Sequence, residues 1–454
     1  MRAAVAPALI ASRFAIALAG AIALACSSSP QGSFARRPNV VVILIDTLRP
    51  DYLDAYGYTR STAPFLSGMA KKSVVFEQAL STSSWTVPSI ASLFTSAYPH
   101  QHGVVQGMMA HRKHLAALGK GEQAALTLNR LSTDVSTLPE HFQRLGYSTY
   151  GIAANVNLGP ELGFQRGFDK FYFEQGVSAR HIHRILANWK AELSRSKPFF
   201  AYLHLNDVHS PFEKRDPYYE PPPSGDPREV TRAEYLSEIG FVDEHLSKIC
   251  GLLGDDDNTV FVFLSDHGEE FWDHGGTFHG ATLYRELTHV LMMFSSPARG
   301  IEPRRINVNT SLIDVLPTLV DLVGGELDDR WKGYSLRPVL ENARNAPALE
   351  AKLRKRTLYA HLAQRGNARH RWAAFDRDSY LIETNEGVNE LFDLSDIKQV
   401  NDIYASSPDR ARALSTLLAD IKQDRGGHPG SDTVEVELDQ ELLETLRSLG
   451  YIEP

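Results

Sequence analysis

Cysteine, surplus positive charge and long apolar runs are all scarce in this sequence, and each scarcity removes a class of protein. There are two cysteines, Cys26 and Cys250, in 454 residues. That excludes a disulfide-built scaffold, and neither thiol sits in a thiolate metal motif. Cys250 falls in a helical stretch and reads as a small core residue. The 47 Lys and Arg are outnumbered by 55 Asp and Glu, a net charge of -8, and form no basic stripe, so nucleic acid is not an expected partner. No period at solenoid or propeller spacing recurs. One apolar run, Phe14–Ala25, follows Arg2 and Arg13 and ends at Cys26-Ser27-Ser28-Ser29. It is too short to stay in a membrane as a spanning helix and reads as an export signal. What is present is 43% hydrophobic residues, enough for a large core and two domains.

The small residues before Cys26 resemble a bacterial lipoprotein signal, in which that cysteine is lipidated and becomes the mature N-terminus. An aliphatic residue is usual where Ala23 stands, and Ala23-Leu24-Ala25 also fits an ordinary Ala-x-Ala cleavage. The expected location is the bacterial cell envelope, with membrane anchoring through lipidated Cys26, or the periplasm. The expected division is a signal peptide over 1–26, a spacer over 27–37, a catalytic domain over 38–327, a C-terminal α+β subdomain over 328–426, and a linker with a C-terminal helix over 427–454.

The runs 39–46, 199–205, 259–265 and 289–294 are continuously apolar, as strands buried on both faces require. Helical patterns at 64–72, 138–145, 179–195, 232–253 and 312–323 alternate with them, which predicts an α/β fold with a mainly parallel sheet. Shorter strand signals at 357–362, 372–375, 380–383 and 390–394, then a helix over 409–422, give the small C-terminal unit. A final helix is expected over Asp439–Leu449. Asp46, Asp207 with His209, and Asp266 with His267 follow strand ends, the edge where open α/β sheets bind ligands.

The stretch Ser83–Thr95 places Thr86 ahead of Pro88, a residue suited to the first helical turn. Read alone, Thr86 is an N-cap, or else a hydroxyl held at a helix mouth that attracts anions. His204, alternating with apolar residues inside a strand, reads as a packed core histidine. Glu269, Glu270 and Asp273 read as solvated loop charges, and His111, Arg112 and His114 as a surface loop.

Taken together, Pro38–Asp46, Thr62–Leu66, Pro88–Gly103, Leu145–Tyr147, Ser265–Gly268, His279–Tyr284, Gly333–Leu336 and Glu390–Leu394 resemble the sulfatase branch of the alkaline phosphatase superfamily. The resemblance implies a large α/β sandwich with metal at the carboxyl edge of the sheet, plus a smaller C-terminal sheet. Sulfatases carry Cys or Ser, two residues before the proline, as the precursor of formylglycine, and an arginine two residues after it. Here those positions are Thr86 and Ile90. Ala154-Asn155-Val156-Asn157 stands where sulfatases read Gly-Lys-Trp-His, and His279 stands for a lysine.

The remaining set is similar to the threonine-nucleophile relatives: phosphoethanolamine and phosphoglycerol transferases and phosphodiesterases. By that resemblance Asp46, Thr86, Asp266 and His267 hold a divalent metal, with zinc or manganese favoured and calcium the alternative. Asp207, His209, His274 and His279 are candidates for a second metal, and Thr47 is a poor ligand where many sulfatases have a second Asp. Thr86 is the expected nucleophile. His209 is expected to protonate the leaving group, and His279 to bind a non-bridging oxygen or assist breakdown of the intermediate. Asn155 and His274 are expected at the substrate.

The expected activity is hydrolysis or transfer on a phosphate ester or phosphodiester, with a small-molecule, lipid or glycan ester as partner. The transferases usually carry several spanning helices ahead of the catalytic domain, which favours hydrolysis here. The alternatives are a sulfatase working without formylglycine and an inactive surface-binding relative. Specificity is expected in the loops between Met108 and Asp134 and between Phe212 and Arg232.

Overall fold

From Val40 to Ile45 every side chain is apolar, and the strand they form, β1 (Asn39–Ile45), is buried along its whole length. In the computed structural model, which describes residues 37–107, 125–196, 198–254, 258–364, 369–437 and 444, β1 lies inside an eight-stranded sheet. The expected export signal with Cys26, the residues His111, Arg112 and His114, most of the loop from Met108, and the helix expected over 439–449 lie outside the described residues.

In chain order the other strands are β2 (Val74–Leu80), β3 (Ala125–Leu131), β4 (Ser148–Ala153), β5 (Lys170–Phe173), β6 (Phe199–Leu205), β7 (Thr259–Leu264), β8 (Glu270–Phe271) and β9 (Thr277–Phe278). They continue with β10 (Met292–Ser295), β11 (Arg304–Ser311), β12 (Leu358–Gln364), β13 (Arg369–Phe375), β14 (Ser379–Thr384), β15 (Asn389–Asp393) and β16 (Ser431–Glu437). The main sheet runs β11-β2-β10-β7-β1-β6-β4-β5, and β10 alone is antiparallel to its neighbours.

Alternate residues of β1 serve opposite faces. Val40, Val42 and Leu44 pack with α2 (Thr86–Thr95), α3 (Leu138–Arg144) and α6 (Val315–Leu322), through residues such as Leu93, Phe142 and Leu316. Val41, Ile43 and Ile45 pack with α1 (Pro64–Ala70), α4 (Ala179–Arg195) and α5 (Pro227–Leu253), through Leu66, Leu186 and Leu246. The result is the expected α/β sandwich. β12–β15 form a second, antiparallel sheet in sequential order, against which Leu414 and Leu418 of α7 (Pro408–Gln423) pack.

Several strands carry no continuous apolar run, and sequence patterning does not reveal them. β4 is interrupted by Gly151, β2 carries Glu77 and Gln78, and β11 shifts register between Ile306 and Asn309. The expected strand over 289–294 begins instead at Met292, because His289 makes only an isolated bridge to Leu80. Part of the expected linker after residue 427 is β16, paired antiparallel with β3.

One buried ion pair ties the second sheet to the first. Arg356, just before β12, donates Nη1 to both Asp314 oxygens at 2.8 Å, and Asp314 also accepts from the Ser311 and Tyr334 amides. The Arg356 side chain is 9% exposed and that of Asp314 0%, so removing one partner strands the other charge in the core. Asp314→Ala is expected to lower unfolding free energy by about 3–5 kcal/mol in denaturant titration, and a loss below about 1 kcal/mol would refute the pairing.

Candidate active site

β7, β1, β6 and β4 are adjacent and parallel, so their carboxyl ends open on one edge of the sheet. Asp46 directly follows β1. Asp266 and His267 follow β7, Asp207 and His209 follow β6, and Asn155 follows β4. The loop after β2 brings Thr86 to the same edge. That loop is fixed from both sides: Ser81 N–H donates to Thr288 O, and Gly280 N–H donates to Ser84 O at 2.8 Å.

Thr86 is not a cap. It is the first residue inside α2, after an extended Trp85 that makes no side-chain cap bond. Pro88 still falls where helical N–H groups have no intrahelical acceptor, so it costs no bond. Ile90 is fully buried in the core. The Thr86 hydroxyl, freed from capping, lies 3.3 Å from His267 Nε2.

His267 Nδ1 donates to Gly268 O at 2.9 Å, which leaves the Nε2 lone pair facing outward. It meets Asp46 Oδ1 and Asp266 Oδ2, each at 3.4 Å. Both oxygens are buried without a hydrogen-bond partner. Acceptors crowded together in this way fit a cation, and Asp46, Asp266 and His267 are the one group among the described residues with metal-holding spacing.

Burial opposes charge on Asp46, but the His204 contact and the electrostatic influence of the neighbouring His209, His204 and His267 rings hold its carboxyl well below the usual carboxylate range. Burial and the neighbouring Asp46 charge push Asp266 well above that range. Burial lowers His267 to about 3, the neutral form a metal ligand requires.

Two histidines flank this group. The rings of His209 and His279 are 4.9 Å apart, and those of His267 and His279 4.5 Å. His209 Nδ1 donates to Ser210 O, and burial lowers its proton affinity. His279 Nδ1 donates to Glu269 Oε1 at 3.1 Å; burial opposes its charge, but Glu269 outweighs that and raises its pKa.

Sequence reasoning missed two residues here. Glu269 is fully buried rather than a solvated loop charge. His204 is no mere packing residue: its Nε2 is 3.3 Å from Asp46 Oδ2. The available signal was a histidine in a strand with no polar face, since a buried imidazole needs a partner.

The other candidates either brace this group or are held away from it. Asn155 Nδ2 donates to Asp46 Oδ2 at 3.0 Å and to Asn206 Oδ1 at 3.2 Å, so it orients the carboxylate. Thr47 spends its hydroxyl on Val208 O at 2.7 Å and its amide on Asp266 Oδ1, which makes it a clamp between loops. Asp207 Oδ2 accepts the Ala179 amide at the start of α4. His274, expected at the substrate, is drawn away: its ring bonds Glu286 and Gln399 O and stacks on Tyr284 at 3.6 Å. Asp273 pairs with Arg49.

Residues 38–325 match the model of the Sulfatase family. The N-acetylglucosamine-6-O-sulfatase of Bacteroides thetaiotaomicron is 29% identical over 224 residues, 46% of this chain and 39% of that protein. Delta 4,5-hexuronate-2-O-sulfatase of the same species is 23% identical over 373 residues, 69% of this chain and 74% of that protein. The chain thus spans well under two thirds of the length of the first of these relatives. The crystal structure of the phosphonate monoester hydrolase of Agrobacterium radiobacter matches with a TM-score of 0.69 at 18% identity, over 86% of this chain and 96% of that one, which shows a shared fold.

The donor set predicts about one tightly held divalent ion per chain by elemental analysis, falling below about a tenth of that in Asp266→Ala with the circular dichroism spectrum retained. Equal metal in both proteins would refute the assignment.

Proposed function

The chain belongs to the sulfatase family of the alkaline phosphatase superfamily, and from that premise we propose that it is a metal-dependent hydrolase cleaving a phosphate ester through a covalent intermediate on Thr86. The observation that carries this reading is the Thr86 hydroxyl, 3.3 Å from a His267 nitrogen that faces Asp46 and Asp266. Asp46, Asp266, His267 and Thr86 would hold the ion, and an imidazole among oxygen donors favours zinc or manganese over calcium. When bound, a divalent cation lowers the pKa of the attacking hydroxyl and offsets charge on the phosphoryl oxygens.

Threonine restricts the chemistry. Oxidised, it would yield a ketone and not the aldehyde that formylglycine supplies, so the covalent adduct cannot be released by collapse of a gem-diol. A threonine ester must instead be opened by water at the central atom, which suits phosphorus. Charge narrows the substrate further. Among the described residues no lysine or arginine pairs with Asp46, Asp266 or Glu269. A site whose cationic side chains are histidines suits a monoanion, such as a phosphodiester or phosphonate monoester, better than a dianionic monoester.

The flanking histidines divide the proton work. Thr86 Oγ1, its proton released to water before attack, forms the new P–O bond while the opposite P–O bond breaks, and His279, its proton affinity raised by Glu269, gives its Nε2 proton to the departing oxygen. His209, neutral and with its Nδ1 proton fixed on Ser210 O, takes a proton from the water that attacks phosphorus and frees Thr86. The roles expected from sequence are thereby exchanged. The N-terminal signal would place this activity in the cell envelope.

The second reading, a sulfate ester substrate, draws on the sulfatase names of the relatives. Turnover of aryl phosphodiester, phosphomonoester and sulfate by the metal-loaded protein separates the two. Phosphodiester should be fastest, with kcat down at least about 1,000-fold in Thr86→Ala. Sulfate turnover at the wild-type rate in that variant would sink the proposal. Glu269→Gln should lower kcat about 10–100-fold with KM little changed, and an unchanged kcat would remove Glu269 from the proton path.

A further inference from the structure

The loop after β6, which carries His209, is fastened to α5 by a group of charges that the chemistry at Thr86 does not use. Glu238 stands in the middle of α5, and its side chain is 1% exposed. A carboxylate in that setting is costly unless it is paired and hydrogen-bonded. Its partners come from the loop. Glu238 Oε1 accepts the Glu213 amide at 3.0 Å, and Oε2 accepts from Arg215 Nε at 2.8 Å. The Ser237 hydroxyl, next along α5, accepts the Arg215 amide at 3.0 Å.

Arg215 also closes the loop on itself. Its Nη1 pairs with Glu213 at 2.8 Å, its Nη2 lies 3.9 Å from Asp207 Oδ1, and its guanidinium sits 4.7 Å from the centre of the Phe241 ring of α5. Asp207 Oδ1 is buried without a hydrogen bond, and Arg215 is the cation paired with it. Burial pushes Asp207 up to about 6, against the Ala179 amide and Arg215, and Glu238 up to about 7, against Arg215. The guanidinium is thus the tie between two buried acids, one on α5 and one two residues before His209.

The fixings of His209 fall on two sides. Before it, Val208 O accepts from Thr47 Oγ1 at 2.7 Å, and the His209 amide donates to Asn206 O at 3.1 Å. After it come the ring of Phe212, with its centre 5.5 Å from that of Tyr235 and 5.7 Å from that of Phe271, and then the charges at Glu213 and Arg215. Arg215 alone among these touches both ends of the segment 207–215, inside which His209 lies.

We propose that Arg215 is a positioning residue for His209: paired with Glu238 and Asp207, it holds the segment 207–215 so that the imidazole meets the water that opens the threonine ester. The inference rests on the reading of Thr86 as nucleophile and His209 as base. Loss of Arg215 is selective, because His279, which serves bond cleavage in the first step, is held by Glu269 and shares none of these contacts.

Stopped-flow turnover of an aryl phosphodiester by the metal-loaded full chain, with acid quench and mass spectrometry of the Thr86 peptide, separates the two steps. Arg215→Ala should release a first equivalent of phenol at the wild-type rate and then slow about 10–100-fold, with the adduct retained on Thr86 and the metal content unchanged. Arg215→Lys, which keeps the charge without the fork of donors, should fall between the two. Equal slowing of both steps would make Arg215 a structural residue only, and an unchanged second step would remove it from the path; either result overturns the proposal. Wild-type turnover with no adduct on Thr86 would contradict the reading of the site itself, and the proposal with it. The Arg215 side chain is 25% exposed and Arg215→Lys conserves its charge, so that variant remains informative if Arg215→Ala folds poorly.

Discussion

Three lone pairs that repel one another, on Asp46 Oδ1, Asp266 Oδ2 and His267 Nε2, are held together in the dry interior at the carboxyl edge of the sheet. Two like charges about 4 Å apart cost roughly 4 kcal/mol at an effective dielectric near 20, before the burial penalty on each. A chain keeps such an arrangement only if a cation or the surrounding structure offsets it. The surrounding structure supplies part of that offset. His204 and Asn155 hold the far oxygen of Asp46, while the Thr47 and His267 amides hold the far oxygen of Asp266. The near oxygens and the imidazole nitrogen are left facing each other and Thr86.

The fold makes this placement cheap in chain terms. Asp46, Asp266 and His267 each lie within a few residues of a strand end, and the neighbouring parallel strands carry them to one edge. The long helices α4 and α5 cover one face of the sheet and α2 lies against the other, so the strands that carry the site are stiff and buried. Thr86 gains its exposure to the cluster by standing one residue inside α2, where its hydroxyl has no capping duty. Glu269 repeats the theme one layer out, as a buried carboxylate whose charge is matched by His279.

What could be read from sequence follows the same physics. β1, β6 and β7 are buried on both faces, so their composition alone marks them, and the acids directly behind them mark the ligand edge. β4 could not be read, because Gly151 breaks its apolar run where the rings of Phe168 and Phe171 close over the backbone. Asn155 therefore entered through family resemblance, and its contact with Asp46 was hidden. His204 and Glu269 were misjudged for one reason: a polar residue's neighbours in sequence do not disclose a partner across the sheet edge. His274 was misplaced by the same ignorance, since the Glu286 and Tyr284 that claim it belong to a four-residue helix, Arg285–Thr288, and its N-cap, too short to leave a pattern in the sequence.

In the proposed reaction Thr86 Oγ1 is the atom that bonds to substrate. Rapid acid quench of the metal-loaded protein during turnover of an aryl phosphodiester, followed by peptide mass spectrometry, tests that bond directly. A phosphoryl ester adduct is expected on the peptide containing Thr86, appearing no later than the first released phenol. Phenol release through a full turnover with Thr86 unmodified at every time point would contradict it.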